Sequence, residues 1–169
     1  IEEWASNAFP NEEATPVNKG SNFYVRNDNE FETFTDLTLK EGLVVIKQYA
    51  FFNFSFLKTV TLPTSLKSIG EKAFAETDIA WMIDNDVDYY TFNGNPHYLA
   101  VCLCNDVQTV KLHEDTKIIG EAFDPYTPKY LRSVELPKGL IGISDYAFYG
   151  CFQLTDFYIT ISGSLTYIG

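Results

Sequence analysis

Between Leu57 and Leu62, apolar side chains fall at the first, fourth and sixth positions, with Lys58, Thr59 and Thr61 between them. The alternation at the end of that run predicts a short strand entered from a loop, because successive strand residues face opposite ways. Pro63 stops the strand, since proline cannot donate to a ladder, and Pro137 does the same after Val134-Glu135-Leu136. A second apolar phrase follows, and the whole sentence then recurs. LTLKEGLVVI, VTLPTSLKSI, VKLHEDTKII and VELPKGLIGI lead to Ile46, Ile69, Ile119 and Ile143. Shortly after these isoleucines stand Ala50-Phe51, Ala73-Phe74, Ala122-Phe123 and Ala147-Phe148.

The period is about 23 residues, with Ile46 to Ile69 spanning 23, Ile119 to Ile143 spanning 24 and Ile143 to Ile168 spanning 25. Ile69 to Ile119 spans 50 and Ile1 to Ile46 spans 45, each near two units. A unit this short cannot bury its apolar face alone, so neighbours must stack. The expected architecture is one solenoid over 1–169, of about seven coils. Regular repeats fall at 34–56, 57–78, 107–130, 131–153 and 154–169, and degenerate coils at about 10–33 and 79–106. Ala100-Val101-x-x-Cys104-x-x-Val107 repeats the spacing of Ala147-Phe148-x-x-Cys151-x-x-Leu154, which sets the phase of the second degenerate coil. The phenylalanines and the isoleucines then form separate internal ladders. Small alanines suit close backbone approach, and Gly70 and Gly120 suit turns with positive φ. The chain stops within a unit at YIG without a polar cap, so it reads as part of a longer protein.

LRSVELPKGLIGISDYAFYGC and LKTVTLPTSLKSIGEKAF resemble the BspA-type leucine-rich repeat, strongly over 34–78 and 107–169 and weakly over 1–33 and 79–106. The resemblance implies a leucine-rich-repeat solenoid: a curved right-handed superhelix, mostly β, with short parallel strands and irregular or short helical turns. It also implies a secreted or cell-surface protein, with a role in adhesion or protein binding, contacting host or extracellular-matrix proteins.

The net charge of −11 repels phosphate backbones and anionic lipid, which argues against nucleic acid and membrane surfaces as partners. No apolar run approaches the roughly 18 residues of a membrane span. Three cysteines give no paired framework. Cys151 sits in the slot that Phe54 fills in another coil, so it is read as a small core hydrophobe and not a nucleophile. His113 takes the slot of Pro63 and Pro137, an exposed turn position, and His97 lies in GNPHYL, a loop by composition. Neither histidine shows metal-ligand spacing, so no metal, cofactor or enzymatic activity is expected. Asp84, Asp86 and Asp88 alternate like the start of a calcium loop. Tyr89 stands where glycine is needed and Asn95 where a bidentate glutamate belongs, so the run is read as a solvated loop.

Outward strand positions offer a candidate protein-binding face: Asp36, Thr38, Thr59, Thr61, Thr109, Lys111, Ser133, Glu135, Asp156 and Tyr158. Trp81 joins this set if Ile79 and Met82 take core slots, which turns Trp81 and Ile83 outward beside the threonines. The commoner fate of a tryptophan is the core, and that is the expectation for Trp81. The leading functional reading is a non-enzymatic protein-binding or adhesion module. The alternative is a spacer that presents another domain of a longer surface protein.

Overall fold

Where the repeat phrase is intact, each coil folds as two short parallel strands joined by turns, because each strand's apolar residues find partners only in the coils beside it. The computed structural model describes residues 1–18, 24–27, 30–103, 107–120, 130–159 and 163–169. The fold is a β-solenoid with short parallel strands and little regular helix. The chain forms two compact units, residues 1–66 with 70–80 and residues 67–69 with 81–169.

The first unit opens with a one-turn helix, α1 (Glu2–Ala5), and a 3-10 turn at Glu12–Ala14. The Asn11 side chain accepts the Ala14 N–H at 3.0 Å and so starts that turn. Strands β1 (Tyr24–Asn27) and β2 (Glu30–Thr33) pair antiparallel, which differs from the single degenerate coil expected over 10–33. Next come β3 (Asp36–Thr38), β4 (Val45–Ile46) and β5 (Thr59–Thr61). β3 and β5 are parallel neighbours, with Leu37 opposite Val60, both buried. The phenylalanine ladder is present as Phe51 stacked on Phe74, with ring centroids 5.1 Å apart and planes within 10°. Beside it the backbones of two coils bond directly. Tyr49 N–H donates to Glu71 O at 2.9 Å, Phe51 N–H to Ala73 O at 2.8 Å and Asn53 N–H to Ala75 O at 3.2 Å. Ala50 and Ala73 are buried at this contact, where a larger side chain would hold the coils apart. Gly70 is needed for a related reason. Its φ is not positive, contrary to expectation, but a Cβ there would lie 2.5 Å from Gln48 N.

The second unit contains β6 (Ser68–Ile69), β7 (Trp81–Asp84), β8 (Val87–Phe92), β9 (Asn95–Leu103), β10 (Thr109–Lys111) and β11 (Ile118–Ile119). It closes with β12 (Ser133–Leu136), β13 (Gly142–Ile143), β14 (Asp156–Ile159) and β15 (Tyr167–Ile168). β10, β12 and β14 form one parallel sheet in which Val110, Val134 and Phe157 are aligned. β15, β13, β11, β9, β8 and β7 form the other, in that order. Ile119, Ile143 and Ile168 are aligned across it, so the isoleucine ladder holds here. Gly120 also lacks a positive φ; a Cβ there would meet the Leu99 side chain at 3.3 Å. The closest backbone approach is at Gly142, where a Cβ would sit 1.8 Å from the Lys67 carbonyl oxygen.

The stretch 79–106 differs from the single coil expected of it. β7, β8 and β9 form an antiparallel meander, and only Leu99 and Ala100 in the middle of β9 pair in parallel, with β11. The phase also differs. Ala100 lies opposite Ile119, which itself lies opposite Ile143, so Ala100 is an isoleucine-rung residue and not the counterpart of Ala147. Two tight turns make the meander. Asn85 and Asp86 have φ of 48° and 63°, and Asn93 and Gly94 have φ of 54° and 72°. Two successive positive φ values match the twist of the flanking strands. The Ala122-Phe123 rung and Cys104 lie outside the described residues.

Candidate functional site

The outward strand residues occupy two separate ladders, one in each unit. In the first, Asp36 is opposite Thr59 and Thr38 is opposite Thr61, all exposed on the side away from Leu37 and Val60. In the second, Thr109, Ser133 and Asp156 form one row and Lys111, Glu135 and Tyr158 the next. Six of these residues pair with one another. Thr59 Oγ1 and Thr35 Oγ1 both donate to the Asp36 carboxylate, and these bonds hold its carboxyl below the usual range. Ser133 Oγ lies 3.0 Å from Thr109 Oγ1, and Lys111 Nζ pairs with Glu135 Oε1 at 2.7 Å. A shallow groove of about 440 Å³ lies at the last pair, lined by Lys111, Glu135, Lys138, Glu114 and Asp115 among others. Its mixed charges suit a polar partner, but it contains no aromatic anchor.

Trp81 departs from the core placement expected of it. It is 60% exposed, and Ile83 on the same face of β7 is 56% exposed. The physical reason is the register of the hairpin. Met82 and Asp84 share a face with the buried Tyr89 and Val87, so Trp81 and Ile83 must take the other face, with Tyr90 and Asp88. β7 is the edge strand of the six-stranded sheet, not a rung of the β10–β12–β14 ladder. Trp81 therefore belongs to a different sheet from Thr109, Ser133 and Asp156.

The same register dissolves the resemblance to a calcium loop. Asp84 and Asp88 point to opposite faces of one hairpin, with Asp86 in its turn. Their carboxylates do not converge on one point. Asp84 instead approaches His97, whose Nε2 lies 3.2 Å from Asp84 Oδ2. His97 is in β9 and not in a loop, and its side chain is only 13% exposed. His113 is not an exposed turn residue either. Its ring lies flat against that of His97, with centroids 3.6 Å apart and planes within 7°. One donor atom from each of Asp84, His97 and His113 falls within 4.8 Å of the others. Tyr89, fully buried, ties both histidines down. Its hydroxyl accepts the His113 backbone N–H at 3.1 Å, and its ring meets the His97 ring edge to face at 5.1 Å. Asp115 N–H donates to His113 Nδ1 at 3.2 Å.

Spacing along the chain hides this grouping, because its three members come from different strands and turns. A signal for it is nevertheless present, since His113 replaces a proline that two other coils keep. Cys151 is half-buried and packs against the core of the second unit; burial pushes its thiol up to about 11. A thiol held protonated in this way is a poor nucleophile and metal ligand.

Stacked coils, in-register apolar ladders and short parallel strands define a leucine-rich-repeat β-solenoid. The chain belongs to the family described as the BspA type leucine rich repeat region, whose model matches residues 21–123 and 100–169 in six copies. No curated protein matches it. Among solved structures, the pneumococcal vaccine antigen PcpA is similar at 20% identity, covering 76% of this chain and 40% of that one, with a TM-score of 0.40. A leucine-rich repeat protein from Bacteroides ovatus is similar at 19% identity, covering 86% and 46%, with a TM-score of 0.31. A leucine rich cell surface protein from Faecalibacterium prausnitzii is similar at 18% identity, covering 81% and 60%, with a TM-score of 0.28. The chain thus spans 40% to 60% of the length of these three proteins. No helix among the described residues is long and apolar enough to cross a membrane.

Proposed function

We propose that this segment is a non-enzymatic protein-binding module of a secreted or cell-surface protein, and that it contacts host or extracellular-matrix proteins through the exposed face of β7. The observation that carries the reading is the pair Trp81 and Ile83, more than half exposed and side by side on an edge strand. Large apolar side chains on a polar surface lose free energy to water until a partner covers them, and tryptophan is the commonest interface anchor. The two polar ladders have a lesser part, since Asp36 with Thr59, Thr109 with Ser133 and Lys111 with Glu135 already pair internally.

Surface-immobilised fibronectin, laminin and collagen, probed with the folded chain, test this. Replacing Trp81 and Ile83 by serine is expected to weaken binding at least tenfold, about 1.4 kcal/mol. Replacing Thr61, Lys111 and Glu135 together by alanine is expected to change it by less than about threefold. Binding to none of these proteins favours the spacer reading, and a larger loss from the triple variant moves the site to the ladders.

A further inference from the structure

We infer that Asp84, His97 and His113 form a binding site for one divalent transition-metal ion of the zinc or cobalt kind. Two imidazoles and a carboxylate are a donor set such ions favour, whereas calcium takes about six to eight oxygens. The spacings suit a shared ion. Donors on one tetrahedral zinc at ~2.1 Å stand roughly 3.4 Å apart. His97 Nε2 and Asp84 Oδ2 are 3.2 Å apart, and one donor atom from each of the three residues falls within 4.8 Å of the others.

His97 Nε2 supplies a second, independent observation. It is closed off from solvent and makes no hydrogen bond, with Asp84 Oδ2 standing 3.2 Å away. A buried polar atom left without a partner costs free energy unless something else completes it. A lone pair directed at an ion between the two residues removes that cost. Near-parallel rings do not aim their nitrogens at one point, so binding must tilt one of them out of the stack. His113 is the one able to move, since its side chain is 29% exposed against 13% for His97. Three protein ligands leave a fourth position open, for water or a donor from a partner.

The chain has two histidines, so the test is unusually clean when no histidine tag is present. Cobalt(II) added to chelator-stripped protein is expected to give visible ligand-field bands that saturate at one ion per chain. Equimolar zinc should displace it, and a large excess of calcium should not. Asp84→Asn, His97→Gln and His113→Gln should each weaken cobalt affinity at least tenfold. Both histidine ring signals in the NMR spectrum of the unmodified chain should shift or broaden with cobalt, a readout that needs no variant to fold. The inference is overturned if no bands appear, if either histidine signal stays unmoved, or if the variants bind as tightly as the parent. A sulfur-to-cobalt charge-transfer band overturns it too, because the ion would then belong to the cysteines.

Discussion

Cys151 shows how one position is decided by the company it keeps. A free thiol is a few per cent thiolate at neutral pH, but one with a pKa of about 11 is ionised to roughly one part in ten thousand. Thiol-reactive reagents are therefore expected to label Cys151 about 10²-fold more slowly in the folded chain than in urea, read by peptide mapping. Rapid labelling of the folded chain would show that the thiol is accessible and ionised. This placement was legible because Phe54 and Cys151 share a slot, and a slot that accepts phenylalanine is a core slot. The histidines were not legible in the same way. His113 looked like a turn residue because its coil neighbours are prolines, yet here the turn delivers its ring onto His97. Glycines were half legible. Gly70 and Gly120 were correctly marked as special, but the constraint is the space beside them and not the sign of φ.

At the scale of elements, the β7–β8–β9 meander is the main departure from the repeat. Its second turn, Asn93-Gly94 between Phe92 and Asn95, is among the strongest short-range hairpin signals a sequence carries. The 23-residue period masks it, because Ile69 and Ile119 stand 50 residues apart, close to the length of two coils. Gly94→Ala is expected to cost about 1 kcal/mol, read as a lower urea midpoint at unchanged slope. A Cβ there meets nothing within 4 Å, so the whole cost is the left-handed backbone conformation at φ 72°. If the variant is as stable as the parent, the turn does not hold this conformation in solution. In β3, β5 and β10, by contrast, the expected alternation is present, with Leu37, Val60 and Val110 each buried between two exposed neighbours, because alternation against a buried ladder leaves no freedom of register.

For the molecule as a whole, two sets of shifted groups bound its stability in pH. Asp36 is held below its ordinary value first by Thr59, and Glu41 first by the Thr64 backbone N–H. Groups lowered in the folded state stabilise it above the ordinary carboxylate range and lose that contribution as pH falls through their folded values. Tyr89 and Tyr98 are raised by burial, so their contribution is intact below about pH 10 and is lost as pH climbs through their folded values. The urea midpoint is expected to be level between about pH 5 and 9 and to drop on both sides, with tyrosinate absorbance from the buried rings appearing only as the chain unfolds. A midpoint that still rises beyond pH 10 would contradict the burial of these rings.

The meander adds β7 and β8 at the edge of the six-stranded sheet and meets the parallel rungs at Leu99 and Ala100, in step with Ile118 and Ile119. Like a siding that rejoins the main line at the correct sleeper, it lets the chain take on extra cargo without shifting the track that follows. Variation at the outward positions Trp81 and Ile83 is thereby open to new recognition chemistry, while Val87 and Tyr89 on the other face stay tied to the core they share with Val110, Val134 and Ile143.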